Sequence, residues 1–233
     1  MDSDEENVCV QCEQGLAPWA VQNIARIERA FHAACGPMTD QLMAQVAVAM
    51  RCAAPKEWVL SGTDEFTLTC PDWHSRKPHK RPDAWLRLRK IAQDDAEHSW
   101  IAAATGSGPT GMCVELMVRK GLSPLSGKLR GNAVLTESLL DRGFELVGGD
   151  TRLIIPVAID VDELALAFET EDFFTAMEPM REGAAMAVSA KPEIDELLGL
   201  LRGALPLKEA GKGTHDGPTR INVVPTHGSH ARR

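Results

Sequence analysis

Apolar positions recur with two different periods along this chain. Ala20, Ile24, Ile27, Phe31 and Ala34 follow a 4-3-4-3 spacing, which lines one face of a helix between Pro18 and Cys35. Gly36-Pro37 interrupts it, Thr39 is placed to cap a second start, and Leu42, Val46, Ala49 and Ala53 carry a second stripe to Pro55. The first segment therefore reads as a helical hairpin. The period then falls to two: 65–70, 85–91, 100–105 and 112–119 alternate or run apolar over strand lengths, which predicts an antiparallel meander. Arg87 and Arg89 alternate with Leu86 and Leu88, so that strand has one wet and one core face.

A short helix is expected from Asn132 to Arg142, stopped by Gly143, and the glycines of Gly148-Gly149-Asp150-Thr151 suit a tight hairpin between 144–147 and 152–157. Helical periodicity returns from Asp160 to Arg202, with Leu164, Phe168, Phe173, Met177, Ile194, Leu197, Leu198 and Leu201 as core contacts and Pro192 separating two helices. From 207 onward Gly, Pro, Thr and His dominate, and too little apolar surface remains to offset the entropy of ordering. The fold class is α+β: an N-terminal helical region over 1–55, a core with C-terminal helices over 56–206, and a disordered tail over 207–233. Regular βα alternation is absent, which disfavours a dinucleotide fold.

Composition narrows the functional classes. The 233 residues carry 33 acidic and 25 basic side chains, a formal charge of −8, and no tyrosine. Few aromatic faces are available for stacked bases or sugars. The chain opens with Asp2, Asp4, Glu5 and Glu6 where a secretory leader carries cations, and its longest apolar runs fall short of the ~20 residues that span a bilayer. A cytoplasmic protein with reduced cysteines is the expectation.

Cys9-x2-Cys12 and His32-x2-Cys35 offer the donor types of a Cys3His zinc site, although small cysteines on an apolar helix face also serve as plain core residues. The segment from His74 to Lys90 holds Arg76, Lys77, Lys80, Arg81, Arg87, Arg89 and Lys90 against the single Asp83, flanked by Trp73 and Trp85. Such a stretch suits nucleic acid or an acidic partner, or else pairs with the chain's own acidic helices, where Asp160, Asp162, Glu163, Glu169, Glu171, Asp172, Glu178 and Glu182 cluster.

Catalytic signals are thinner. Gly106 to Gly111 reads as a hairpin connection between two strands, and Gly121 to Lys128 departs from a phosphate-binding loop in its spacing and in having Leu129 where a Ser or Thr would hold magnesium. Asp94-Asp95 with Glu97 and His98 reads as a polar turn. Asp160 and Asp162, with Glu115 on a neighbouring strand, could position a divalent ion for phosphoester hydrolysis, but Asp160 with Glu163 is also a capping box. No nucleophile elbow or zinc-protease motif is present. The expected role is a non-catalytic binding protein, a subunit or adaptor of a cytoplasmic bacterial multi-protein assembly that contacts its partner, or nucleic acid, through 74–90. A metal-dependent hydrolase or nuclease and a zinc-stabilised nucleic-acid binder are the alternatives.

Overall fold

Strand alternation and helix periodicity divide the chain as the pattern predicts. The computed structural model describes residues 4–63, 65–74, 82–92, 98–122, 125–148 and 152–203, with side chains described from Leu16 onward, Ser126 excepted. Helix α1 (Asp4–Cys35) and helix α2 (Pro37–Ala53) form the N-terminal hairpin. Six strands follow: β1 (Val59–Ser61), β2 (Thr67–Thr69), β3 (Ala84–Ala92), β4 (Thr110–Val118), β5 (Glu145–Val147) and β6 (Arg152–Val157). They build one sheet in the order β1-β2-β3-β4-β6-β5, with every neighbouring pair antiparallel. The architecture is α+β.

Register divides the side chains of the sheet between two faces. Leu86 lies opposite Leu116 and Leu88 opposite Val114, while Val114 and Leu116 lie opposite Ile155 and Leu153 on β6. All six are buried. Helix α2 joins this face through Leu42, Val46 and Met50, packing against α7 (Glu178–Ser189), which itself crosses β6. Helices α6 (Val161–Thr170) and α8 (Lys191–Gly203) complete the layer with Leu164, Ile194, Leu197, Leu198 and Leu201, as the periodicity predicts, and Phe168 is partly buried against it.

Two glycines have conformational reasons. Gly143 follows α5 (Ala133–Asp141) with φ +89°, the left-handed turn that a Cβ disfavours. Gly183 lets α7 approach the sheet, because a Cβ there would stand 2.8 Å from Val157 Cγ2.

Local expectations differ at three places. Trp100–Thr105 is helix α3, not a strand: Ser99 Oγ accepts from Ala102 N at 3.1 Å, and the three alanines that follow Ile101 favour helix over sheet. The glycine-rich stretch after it consequently joins a helix to β4 rather than two strands. Thr39 lies inside α2, and its hydroxyl donates back to the Ala34 carbonyl at 2.6 Å, satisfying the end of α1 instead of capping the start of α2. Helix α4 (Leu125–Arg130) follows Gly121, while the Asp94–Glu97 turn, the Gly149–Thr151 turn and the 207–233 tail lie outside the described residues. Among the described residues no helix is long and apolar enough to cross a membrane.

Candidate functional site

On the second face of the sheet, polar and charged residues occupy the alternate positions. Ser61 lies opposite Thr67, Thr67 opposite Arg87, Arg87 opposite Glu115, and Glu115 opposite Ile154. One row across five strands thus carries a hydroxyl pair, a cation and a carboxylate. Trp85 and Met117, cross-strand partners on the same face, are half-buried.

The cations of this face are held in place. Glu115, only 3% exposed, receives Arg152 Nε at 2.6 Å, Arg152 Nη2 at 3.2 Å and Arg89 Nη1 at 3.2 Å. Its hydrogen bond and its charge keep the Arg152 guanidinium protonated, raising its pKa. Arg87 pairs with Glu65. Two shallow cavities flank the row. One, of about 410 Å³, lies among Ser61, Glu65, Thr67, Thr69, Pro82, Trp85 and Arg87. The other, of about 400 Å³, lies among Arg89, Glu115, Met117, Arg119, Lys120, Leu122 and Arg152. Four of the side chains around the second are cations.

A second buried carboxylate fixes the end of the sheet from which the 75–81 segment departs. Asp83, 1% exposed, takes Arg119 Nε on Oδ1 and Arg202 Nε on Oδ2, both at 2.9 Å. Its backbone also bonds Trp73 and Arg119, so β3, β4, the Pro71–Trp73 turn and the end of α8 meet at one residue. Trp73 is wholly buried there, edge-on to Trp58 at 4.9 Å, with its indole nitrogen donating to Asp195 at 2.9 Å. No ring face of Trp73 is open to a base. Lys191 bridges Asp195 and Asp72 at 2.6 and 3.0 Å, which raises its pKa.

The remaining predicted residues are dispersed. Lys90 donates to the His98 carbonyl at 2.6 Å and lies over the Trp100 ring. Arg76, Lys77, Lys80 and Arg81 lie outside the described residues, as do the side chains of Cys9 and Cys12. On the single helix α1, Cys12 and His32 are separated by about 30 Å at 1.5 Å per residue, so one chain does not bring Cys9 and Cys12 together with His32 and Cys35. Asp160 accepts from the backbone nitrogens of Asp162 and Glu163 at 2.9 and 3.0 Å, the capping role. The structure does not unite it with Asp162 and Glu115, and among the described residues no group of three His, Cys, Asp or Glu side chains could hold a metal ion. Glu115 instead accepts from two arginines, Arg89 and Arg152.

The residues that sequence reading missed are Arg152, Arg119, Lys120 and Glu65, which reach this face from other strands and loops. Asp83 carried a usable signal, a single carboxylate inside a cationic stretch. Arg152 carried only its alternation with Leu153.

Cys113 shares the Glu115 strand. Burial, reinforced by the negative charge of Glu115, pushes its thiol up to about 12, and burial also raises Cys70. Both thiols should therefore resist a thiol-disulfide reagent at pH 8 while the exposed Cys35 and Cys52 react, a difference readable by mass spectrometry of the labelled native protein. The same shift gives a pH prediction. Above pH 9 the unfolded chain releases the Cys113 proton and the folded chain retains it, so stability is full below that pH and falls through about 12. Lys191, raised by its carboxylates, loses its contribution in the same direction. Urea midpoints measured at pH 8 and pH 10.5 should fall accordingly; a rise would contradict the burial of this thiol.

No protein-family model, no curated protein and no solved structure matches this chain, so its function is read from the chemistry of this face.

Proposed function

We propose that the protein is a non-catalytic binding subunit that holds a protein partner against the open face of its sheet. The observation that carries this reading is the cluster of Arg87, Arg89 and Arg152, half-buried around the buried Glu115 with Trp85 and Met117 half-buried beside it, on a sheet whose other face is the core. Arg, Trp and Met are the side chains enriched where proteins meet. Glu65 and Glu115 between them hold the three arginines, so the charge of this face is partly compensated and its guanidiniums are preorganised. That favours a protein surface carrying its own mixed charges over a phosphate backbone, whose affinity scales with uncompensated cations. The cationic 75–81 segment leaves from the same end of the sheet, next to Pro82, and adds Arg76, Lys77, Lys80 and Arg81 for an acidic patch on the partner.

The test is affinity purification from the native host, with and without nuclease, of the wild type, an Arg87→Ala/Arg89→Ala variant and a variant with Arg76, Lys77, Lys80 and Arg81 changed to glutamate. A partner should survive nuclease at stoichiometric yield and fall at least about tenfold in both variants, the loss of a few interface contacts worth 1.4 kcal/mol or more. Undiminished retention in both variants overturns the assignment.

A further inference from the structure

Helix α1 carries large apolar side chains that the other described residues leave exposed. Trp19 is 54% exposed, Ile24 52% and Phe31 59%, and Leu16 and Val21 are exposed with them. Ala20, Asn23, Ile27 and Ala34, which lie between Trp19 and Ile24 around the helix, are half-buried. From Gln14 to Ala25 the helix contains no charged residue at all. A helix side meant for water carries charge.

The charges sit at the two ends and differ in sign. Asp4, Glu5, Glu6 and Glu13 occupy the first ten residues with no base among them, whereas the last ten hold Arg26, Arg29 and His32 against Glu28 alone. Two such helices side by side in parallel would place like charges at the same level. Antiparallel, acid meets base.

We propose that α1 is a self-association helix: two copies of the chain pair antiparallel along it, about a two-fold axis near Trp19 and Ala20. The axis falls at the centre of both the helix and its uncharged stretch. Glu13 then stands at the level of Arg26 of the second copy, and Arg29 between the levels of Glu6 and Glu13. Helix α1 is 32 residues, about 48 Å, long enough for an extended isologous contact. At its C-terminal end a cavity of about 380 Å³ opens between Phe31, Thr39, Lys90 and Trp100. This is the level at which the acidic first turn of the second copy arrives, and Lys90 is the cation there.

Sedimentation velocity of the full chain at micromolar concentration tests the pairing. The wild type should run at twice the 25.3 kDa chain mass, and Ile24→Glu/Phe31→Glu at the chain mass with an unchanged circular-dichroism spectrum. Should that variant misfold, the charge pair Glu13→Arg and Arg26→Glu gives the answer at low salt: each alone weakens the dimer, and the double variant restores it. A monomeric wild type overturns the proposal, as does a dimer indifferent to all of these changes.

Discussion

Replacing Asp83 by alanine should cost about 3 kcal/mol of stability, the lower end of what removing one partner from a buried ion pair costs, because Arg119 and Arg202 both reach solvent. Removing the carboxylate leaves two guanidiniums facing a pocket built for an anion and unpins β3, β4 and α8 from one another. For a chain of this size that corresponds to a melting temperature lower by roughly 6–12 °C. Asp83→Asn, which retains an acceptor, should lose less. A melting temperature within a degree of wild type for Asp83→Ala would contradict the account of this end of the sheet.

Gly183→Leu is the second large effect, and its origin is steric. The Cβ alone would stand 2.8 Å from Val157 Cγ2 and 3.7 Å from Ile155 Cγ2, and both valine and isoleucine are buried in the sheet. A leucine must push α7 off β6, and overpacking of this kind costs about 3 kcal/mol. Gly183→Ala combines a smaller overlap with better helix propensity, so it should fall between leucine and wild type. Urea unfolding of the three proteins gives the order directly. Leucine matching wild type would mean that α7 does not lie against β6 as described.

Much of this architecture is legible in the sequence because hydrophobic periodicity is a direct record of burial. Leu86 and Leu88 alternating with Arg87 and Arg89 announce a strand between core and water, and the stripe from Leu42 to Ala53 announces α2. The misreading at Trp100–Thr105 arose because five apolar residues and a threonine satisfy a strand as well as a helix, and the cap at Ser99 with the three alanines separates the two. Strand β1, three residues at a sheet edge, is too short to show a period.

The site is legible by halves. Arg87, Arg89 and Trp85 stand out locally, but their pairing with Glu65, Glu115 and Arg152 depends on registers between strands far apart in the chain, which no local pattern encodes. Charge counting alone therefore leaves the partners of 74–90 open between nucleic acid, an acidic protein and the chain's own acidic helices. The structure places Arg87 and Arg89, the strand part of that segment, beside Glu65 and Glu115, and that pairing is what the proposed mixed-charge docking rests on. Helix α1 shows the same limit, since its stripe is plain in the sequence while the exposure of Ile24 and Phe31 among the described residues is visible only once the two are located.

Hydroxyl-radical footprinting of the open face, comparing the free protein with the nuclease-treated complex purified from the host, tests the central claim most directly. Trp85 and Met117 should lose most of their oxidation when the partner is bound, because both side chains lie on the surface assigned to it. Equal oxidation of Trp85 and Met117 in the two states, or recovery of the protein without any partner, would contradict the reading of this face as a docking surface.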